Sequence, residues 1–349
     1  MNTVAINGRF LARRQTGQER FAKETILELD KIAKKNEYIL VVPMEAKETI
    51  KLNNIKIVKY GKSKSHLWEQ LDFLVYLKKN HMISLNLCTI QPLLAPGYVC
   101  IHDIIYKTNP ELFVTAYGKL SAYWHRINYF LASVKSRHIF TVTNFSRNNI
   151  INYYHVSKEK ITVVPSGWDH LKRAAINENA YKEYDNLNDG EYFISIGSLA
   201  IHKNLIWVFN AAKVNPDKMF VIVGRASAIE YGVDFNNSNI KNVIMTGYIS
   251  DKNLMGLLKH SKALIFPSLH EGFGLPPLEA LALGKKAIVA KTSCMPEIYG
   301  NSVYYLDPYN ANVNIDDLMK GNLENPTQLL EKYTNANTAQ IINNILHKI

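Results

Sequence analysis

Residues 267–290 read PSLHEGFGLPPLEALALGKKAIVA and hold two acids, Glu271 and Glu279, with seven residues between them. A Gly-Phe-Gly loop and a Pro-Pro pair lie between them. Gly272 and Gly274 permit backbone geometries that other residues resist. Pro276 and Pro277 fit the first turn of a helix, where a missing N–H costs nothing. The pattern predicts a strand ending near Ser268, a loop carrying Glu271, and a helix whose first turn holds Pro276 and Pro277, with Glu279 near that turn and Gly284 at its end. N–H groups of Phe273, Gly274 and Leu275 at a helix N-terminus suit an anion such as a diphosphate. Ionised carboxylates accept hydrogen bonds from hydroxyls. An anion joined to a polyol describes a nucleotide sugar. The same residues also fit a plain helix start, in which Glu279 complements the helix dipole and the glycines make a turn.

Three further stretches carry candidate chemistry. In SIGSLAIHKNL (195–205), Gly197 closes a strand and Lys203 stands just before a helix. A cation is unfavourable there, and a bound anion would remove the conflict. Arg225, after FVIVG, is a second candidate cation at the same end of the same sheet. In NGRFLARRQTGQERF (7–21), Gly17 precedes a helix and would let a ligand approach the backbone closely. The spaced three-glycine dinucleotide fingerprint is absent, which argues against a nicotinamide site. His102-Asp103 ends a strand in CIHDIIY (100–106); such a pair serves structure as readily as chemistry.

These residues need elements to position them. TVAING (3–8), YILVVP (38–43), IKIVKY (55–60), VCIHDI (99–104), HIFTVT (138–143) and ITVVP (161–165) read as strands. Apolar spacing predicts a helix over 19–35. A polar, Asn- and Asp-rich stretch, 166–191, marks the boundary between two halves. Strands then recur at 192–197, 219–224, 242–247, 262–268 and 286–290, with helices at 204–214 and 251–261 between them. Continuous apolar strands separated by helices imply parallel sheets covered on both faces. The expected fold is α/β, two doubly wound Rossmann-like domains facing across a cleft, with ligands beyond the strands' carboxyl ends.

The 349 residues are 47% hydrophobic, enough for two cores, and no apolar run is long enough to span a membrane. The first residues read as a strand and a polar loop, not a secretory signal. Cys88, Cys100 and Cys294 are too few and scattered for a disulfide framework or zinc site. We therefore expect buried thiols in a cytoplasmic protein. The formal net charge is +11. Residues 1–170 hold 24 Lys and Arg against 13 Asp and Glu, and the rest of the chain holds 17 of each sign. The basic half either aids solubility or faces an anionic surface. Lys62, Lys64, Lys78 and Lys79 flank a helical stretch, 65–79. Leu67, Trp68, Leu71, Leu74 and Val75 form one apolar stripe on it, and Phe73 and Leu77 lie off the stripe. That stripe docks either inward or onto lipid.

Taken together, TGQERFAKE, IHDIIYKTNPELF, TVTNFSRNNI, ITVVPSGWDH, GSLAIHKNL, VIVGR, TGYISDKNL, SCMPEIYG and the E-x₇-E stretch 267–279 resemble the retaining family-four glycosyltransferases of the GT-B fold. The pattern is similar to bacterial enzymes of O-antigen and capsule synthesis, including mannosyl- and rhamnosyltransferases. The resemblance implies an acceptor-binding domain over 1–170, a nucleotide-sugar domain over 171–330, and a C-terminal helix, 331–349, returning to the first domain. It implies that Glu279 binds the donor's ribose hydroxyls, that Glu271 stands by the sugar near the reacting carbon, and that Lys203 holds the diphosphate. Amides of Phe273, Gly274 and Leu275 would contact sugar and phosphate. Tyr248 and Ile249 would line the base pocket beside Gly247. Gly17 would approach the diphosphate, and His102 would help position sugar and acceptor. Many relatives carry an arginine soon after the glycine at 197. Here Ser198, counted with the donor site, and Leu199 follow, and Arg225 is the substitute cation.

The expected activity is a retaining hexosyl transfer from a UDP-, GDP- or dTDP-sugar to a hydroxyl of a glycan or polyprenyl-linked acceptor. No cofactor is expected. No Asp-x-Asp pair occurs, so the expected chemistry is metal-independent. The expected location is the inner face of the plasma membrane, bound peripherally through the first domain to anionic lipid, with no nucleic-acid partner. The competing readings are a nucleotide-sugar epimerase of the same fold and a non-catalytic nucleotide- or RNA-binding protein.

Overall fold

A computed structural model of the chain describes residues 3–46, 50–198, 200–224 and 240–348. The chain divides into two compact units. Unit 1 takes in Met1–Pro110, Tyr117–Gly167 and Tyr333–Ile349; unit 2 takes in Glu111–Ala116 and Trp168–Lys332.

Unit 1 is built on strands β1 (Val4–Asn7), β2 (Tyr38–Val42), β3 (Lys56–Lys59), β4 (Ile83–Asn86), β5 (Tyr98–Cys100), β6 (His138–Thr141) and β7 (Ile161–Val163), in the order β3-β2-β1-β4-β5-β6-β7. Unit 2 is built on β8 (Tyr192–Ile196), β9 (Met219–Val223), β10 (Val243–Gly247), β11 (Ala263–Phe266), β12 (Lys286–Ala290) and β13 (Tyr304–Leu306), in the order β10-β9-β8-β11-β12-β13. Strand pairs among the described residues run parallel, as buried, continuously apolar strands demand. Two strands, β4 and β13, are not anticipated by the sequence pattern.

Helices cover the sheets with their apolar faces. Leu205, Trp207, Val208 and Phe209 of helix Leu205–Val214 pack with Phe193, Phe220 and Ile265 of sheet two. Tyr129 and Ala132 of helix Ala116–Lys135 pack with Val99 and Ile139 of sheet one. Full burial of each such large side chain is worth about 1.5–3 kcal/mol. The last helix, Asn335–Lys348, lies against Gly17–Ile32 in unit 1. Tyr38 donates its hydroxyl proton to Asn343 Oδ1 at 2.6 Å. The free thiols divide: Cys100 and Cys294 are buried, whereas Cys88 is partly exposed.

The single apolar stripe expected on 65–79 is split in two. Glu69–Phe73 winds as a π turn between α-helical Ser65–Trp68 and Leu74–Lys79. The i→i+5 spacing brings Phe73 onto the side of Trp68, where the rings stack at 5.3 Å. Trp68, Phe73, Tyr76 and Leu77 enter the core with Ala5 and Val41. Leu67, Leu71 and Val75 are left on the surface, 63%, 53% and 52% exposed. An ideal 3.6-residue period cannot give this result, because the extra residue rotates every later position.

Candidate active site

Sheet two reverses its strand order between β8 and β11. In such sheets ligands bind beyond the carboxyl ends of the strands at that point. The loop leaving β8 carries Lys203, and the loop leaving β11 carries Glu271. Lys203 Nζ donates to Glu271 Oε1 at 2.7 Å. The acid thus supplies the negative partner that a lysine before a helix requires.

The two loops are fastened to each other. The Leu269 N–H donates to the His202 carbonyl at 2.7 Å. Asn204, left-handed at φ 51°, separates the 3₁₀ turn Ile201–Lys203 from helix Leu205–Val214. Its side-chain amide donates to the carbonyls of Pro267 at 3.2 Å and Pro308 at 2.9 Å. Asparagine tolerates that backbone conformation better than most side chains. Glu271 is held from behind: its N–H donates to Ser293 Oγ at 3.2 Å, and its carbonyl accepts from Cys294 Sγ at 3.3 Å. Burial, then the nearby Glu271 charge, pushes the Cys294 thiol well up. That thiol stays neutral and structural.

The glycine loop then opens helix Leu275–Ala282. Gly274 is its N-cap at φ 80°, and Tyr299 donates its hydroxyl proton to the Gly274 carbonyl at 2.5 Å. Leu275 alone among the first three helical positions has an N–H, since Pro276 and Pro277 have none. Phe273 is buried and Leu275 partly exposed. Glu279 is 4% exposed, and His170 Nε2 lies 2.9 Å from its Oε1. The two acids are therefore served by different partners, Lys203 for Glu271 and His170 for Glu279.

Around them, the glycines at the strand ends crowd together. The Gly197 N–H donates to the Val223 carbonyl at 3.0 Å, and the Gly224 N–H donates to the Gly247 carbonyl at 3.0 Å. A Cβ on Gly224, at φ 152°, would fall 1.7 Å from the Gly197 carbonyl oxygen, so no other residue fits there. Ser198 is exposed. Beyond Gly247, Tyr248 is 63% exposed and Ile249 is partly buried. Arg225 and Leu199 lie outside the described residues.

Gly17 and His102 belong to unit 1. Gly17 is the first residue of helix Gly17–Ile32, capped by Thr16 with Glu19 in a reciprocal capping box, and a Cβ at Gly17 would meet only open space. His102 follows β5, is 7% exposed, and meets Phe21 of that helix edge-on at 4.8 Å. Its Nε2 lies 2.9 Å from the Leu87 carbonyl, and burial holds its pKa below the ordinary value. A neutral imidazole donating from Nε2 follows.

Sequence reasoning missed His170, Asn204, Ser293 and Tyr299. His170 and Glu279 are 109 positions apart, and no local pattern joins them. Asn204 alone carried a signal, as a left-handed-tolerant residue at a helix start.

Residues 176–339 match the family described as "Glycosyl transferases group 1". The chain is 25% identical over 277 residues to the O-antigen chain mannosyltransferase RfbU of Salmonella typhimurium, covering 77% of this chain and 72% of RfbU. It is 25% identical over 235 residues to the serotype-specific mannosyltransferase WbdA of Escherichia coli, covering 61% of this chain but 28% of WbdA. Among solved structures it is similar to sucrose-phosphate synthase from Thermosynechococcus elongatus, with TM-score 0.73, 13% identity, and 100% and 99% of the two chains covered. It is also similar to HepE of Anabaena, solved with UDP and glucose, with TM-score 0.71, 14% identity and 99% of both chains covered. At these identities the structural likeness speaks for the fold, which is GT-B: two doubly wound Rossmann-like domains.

Proposed function

We propose, from the premise that residues 176–339 of this chain are a group 1 glycosyltransferase domain, that the protein transfers a sugar from a nucleoside diphosphate sugar to a hydroxyl of a glycan or lipid-linked glycan during synthesis of a bacterial surface polysaccharide. The observation that carries the chemistry is the Lys203–Glu271 contact at the strand-order switch of sheet two. Lys203 answers the diphosphate, Glu271 the donor sugar, and Glu279 the ribose hydroxyls. The epimerase and nucleotide- or RNA-binding readings are not favoured, because RfbU and WbdA are both named as mannosyltransferases. Mannosyl transfer is accordingly the first activity to test.

In the proposed reaction the bond from the anomeric carbon to the diphosphate oxygen breaks, and the acceptor oxygen bonds to the same face of that carbon. The acceptor's proton passes to the departing phosphate. Negative charge grows on the leaving group, and a preorganised cation stabilises it most at the transition state. The chemistry is proposed to need no metal.

A thermal-shift panel of UDP-, GDP- and dTDP-sugars tests the donor reading, since a ligand that binds the folded state raises its stability by mass action. No shift with any of them would overturn it. Glu279→Ala should weaken binding of the donor so identified by about 1–3 kcal/mol, the cost of leaving buried polar groups unpaired. Unchanged affinity in calorimetry would remove Glu279 from the ribose.

Among the described residues no helix is long and apolar enough to cross a membrane. Peripheral contact is the proposal. Leu67, Leu71 and Val75 form an exposed apolar row between exposed Lys62 and Lys64 on one side and exposed Lys78 and Lys79 on the other. Anionic lipid attracts each nearby lysine by about 1 kcal/mol, within a Debye length. The protein should co-sediment with vesicles containing anionic lipid and be released by salt. Replacing the four lysines by Gln should reduce that binding and leave donor affinity unchanged. Indifference to anionic vesicles at low salt would favour a soluble acceptor.

A further inference from the structure

His170 enters unit 2 with the segment that follows Gly167, in the 3₁₀ turn Asp169–Arg173. That turn is anchored within the unit: Trp168 Nε1 donates to the Leu330 carbonyl at 2.8 Å. The Lys172 ammonium lies 5.0 Å from the Trp168 ring centroid. His170 and Glu279 are 6% and 5% exposed at their side chains, and Nε2 stands 2.9 Å from Oε1. A carboxylate so buried requires a donor to stay an ordered acceptor. The Nδ1 atom of His170 is buried with no hydrogen-bond partner among the described residues, so Nε2 is the ring nitrogen that meets Glu279. A histidine placed for core packing alone would have no reason to meet the one buried acid of the glycine-loop helix.

We infer that His170 is a positioning residue for the donor: its Nε2–H fixes the Glu279 carboxylate in the orientation that receives the ribose hydroxyls. The inference rests on the ribose reading of Glu279. His170 touches no reacting atom, so its effect falls on donor affinity and not on the chemical step. It also makes selectivity for a ribose over a deoxyribose donor depend on a residue 109 positions from Glu279.

The experiment compares, by calorimetry, UDP and GDP with their 2′,3′-dideoxy counterparts on wild-type protein and on Glu279→Ala, His170→Leu and His170→Gln. Gln carries an N–H donor close to the place of Nε2; Leu carries none. For the ribonucleotide that binds wild type more tightly, His170→Leu should raise Kd about tenfold and shrink the preference for ribose, as Glu279→Ala does. His170→Gln should restore most of that preference. Donor KM should rise in His170→Leu while kcat at saturating donor stays within about twofold. If His170→Leu does not fold, His170→Asn, too short to reach the carboxylate, carries the same comparison. A wild-type protein that binds ribo and dideoxy forms equally overturns the ribose reading, and the inference with it. Discrimination lost in Glu279→Ala but kept in His170→Leu overturns the positioning role alone. Equal weakening of both ligand forms in His170→Leu would make the histidine merely structural.

Discussion

Lys203→Ala should lower kcat/KM for the donor by roughly 10²–10³-fold, the size of effect expected when one preorganised group is withdrawn from a developing anion. The structure adds a second component. In the wild-type protein Lys203 Nζ lies 2.7 Å from Glu271 Oε1, and the acid's side chain is 12% exposed. Removing the lysine would leave that carboxylate uncompensated where the diphosphate is proposed to bind. Like charges at close range then oppose binding, so donor KM rises together with the fall in kcat. The double variant Lys203→Ala/Glu271→Gln separates the two components. It should bind the nucleoside diphosphate more tightly than Lys203→Ala alone, because the repelling charge has gone, while turnover stays low. Such non-additivity is expected of residues in direct contact. Steady-state release of nucleoside diphosphate and calorimetry of its binding are the measurements. A Lys203→Ala enzyme with wild-type kinetics would remove the lysine from the site, and strict additivity would mean that the ion pair has no bearing on the donor.

The two-unit plan was legible because most strands are short, apolar and flanked by helical spacing. The exceptions have physical causes. β4 is only four residues and places Ser84 and Asn86 inside the sheet, 1% and 0% exposed. Asn86 satisfies itself by donating to Ser84 Oγ at 2.9 Å and the Tyr98 carbonyl at 3.1 Å. A hydropathy pattern has no way to mark such a strand as buried. β13 is three residues and ends the sheet order. The helix 65–79 was visible as a helix, but its inward face was not, because a π turn is written in no residue type.

At the candidate site the local features were readable. The glycine loop, the two prolines and the two acids follow one another within 267–279, and their geometry comes from backbone preferences that single residues reveal. The partners were not readable. Lys203 meets Glu271 across 68 positions, and Asn204 ties the β8 loop to Pro267 and Pro308 across 63 and 104. Those pairings are products of the strand order β8-β11, which places loops distant in the chain side by side. The E-x₇-E spacing invites a reading of two acids working as a pair. Glu271 instead meets Lys203 and Glu279 meets a buried histidine, which fits the separate tasks proposed for them.

That separation yields opposite signatures for the two halves of one ion pair. Glu271→Gln should lower kcat by about 10²-fold, because the carboxylate is proposed to stand by the sugar, where positive character develops as the bond to the diphosphate breaks. Its effect on nucleoside diphosphate binding should run the other way. Lys203 is engaged by Glu271, and if it holds the diphosphate as proposed, the ligand must take the ammonium from that acid or share it. With glutamine in place the ammonium is released, and affinity for the nucleoside diphosphate alone should rise a few-fold, in keeping with the modest strength of a partly exposed pair. Falling kcat with falling donor KM is the pattern of a group whose loss relieves the ground state and deprives the transition state. Lys203→Ala, by contrast, should lower kcat and raise KM. Calorimetry with the diphosphate and steady-state kinetics with the sugar nucleotide read both arms on one protein preparation. If Glu271→Gln leaves kcat at the wild-type value, the acid has no part in the chemical step. If it weakens diphosphate binding, the lysine and the acid hold the ligand together, and the exchange of partners on donor binding is wrong.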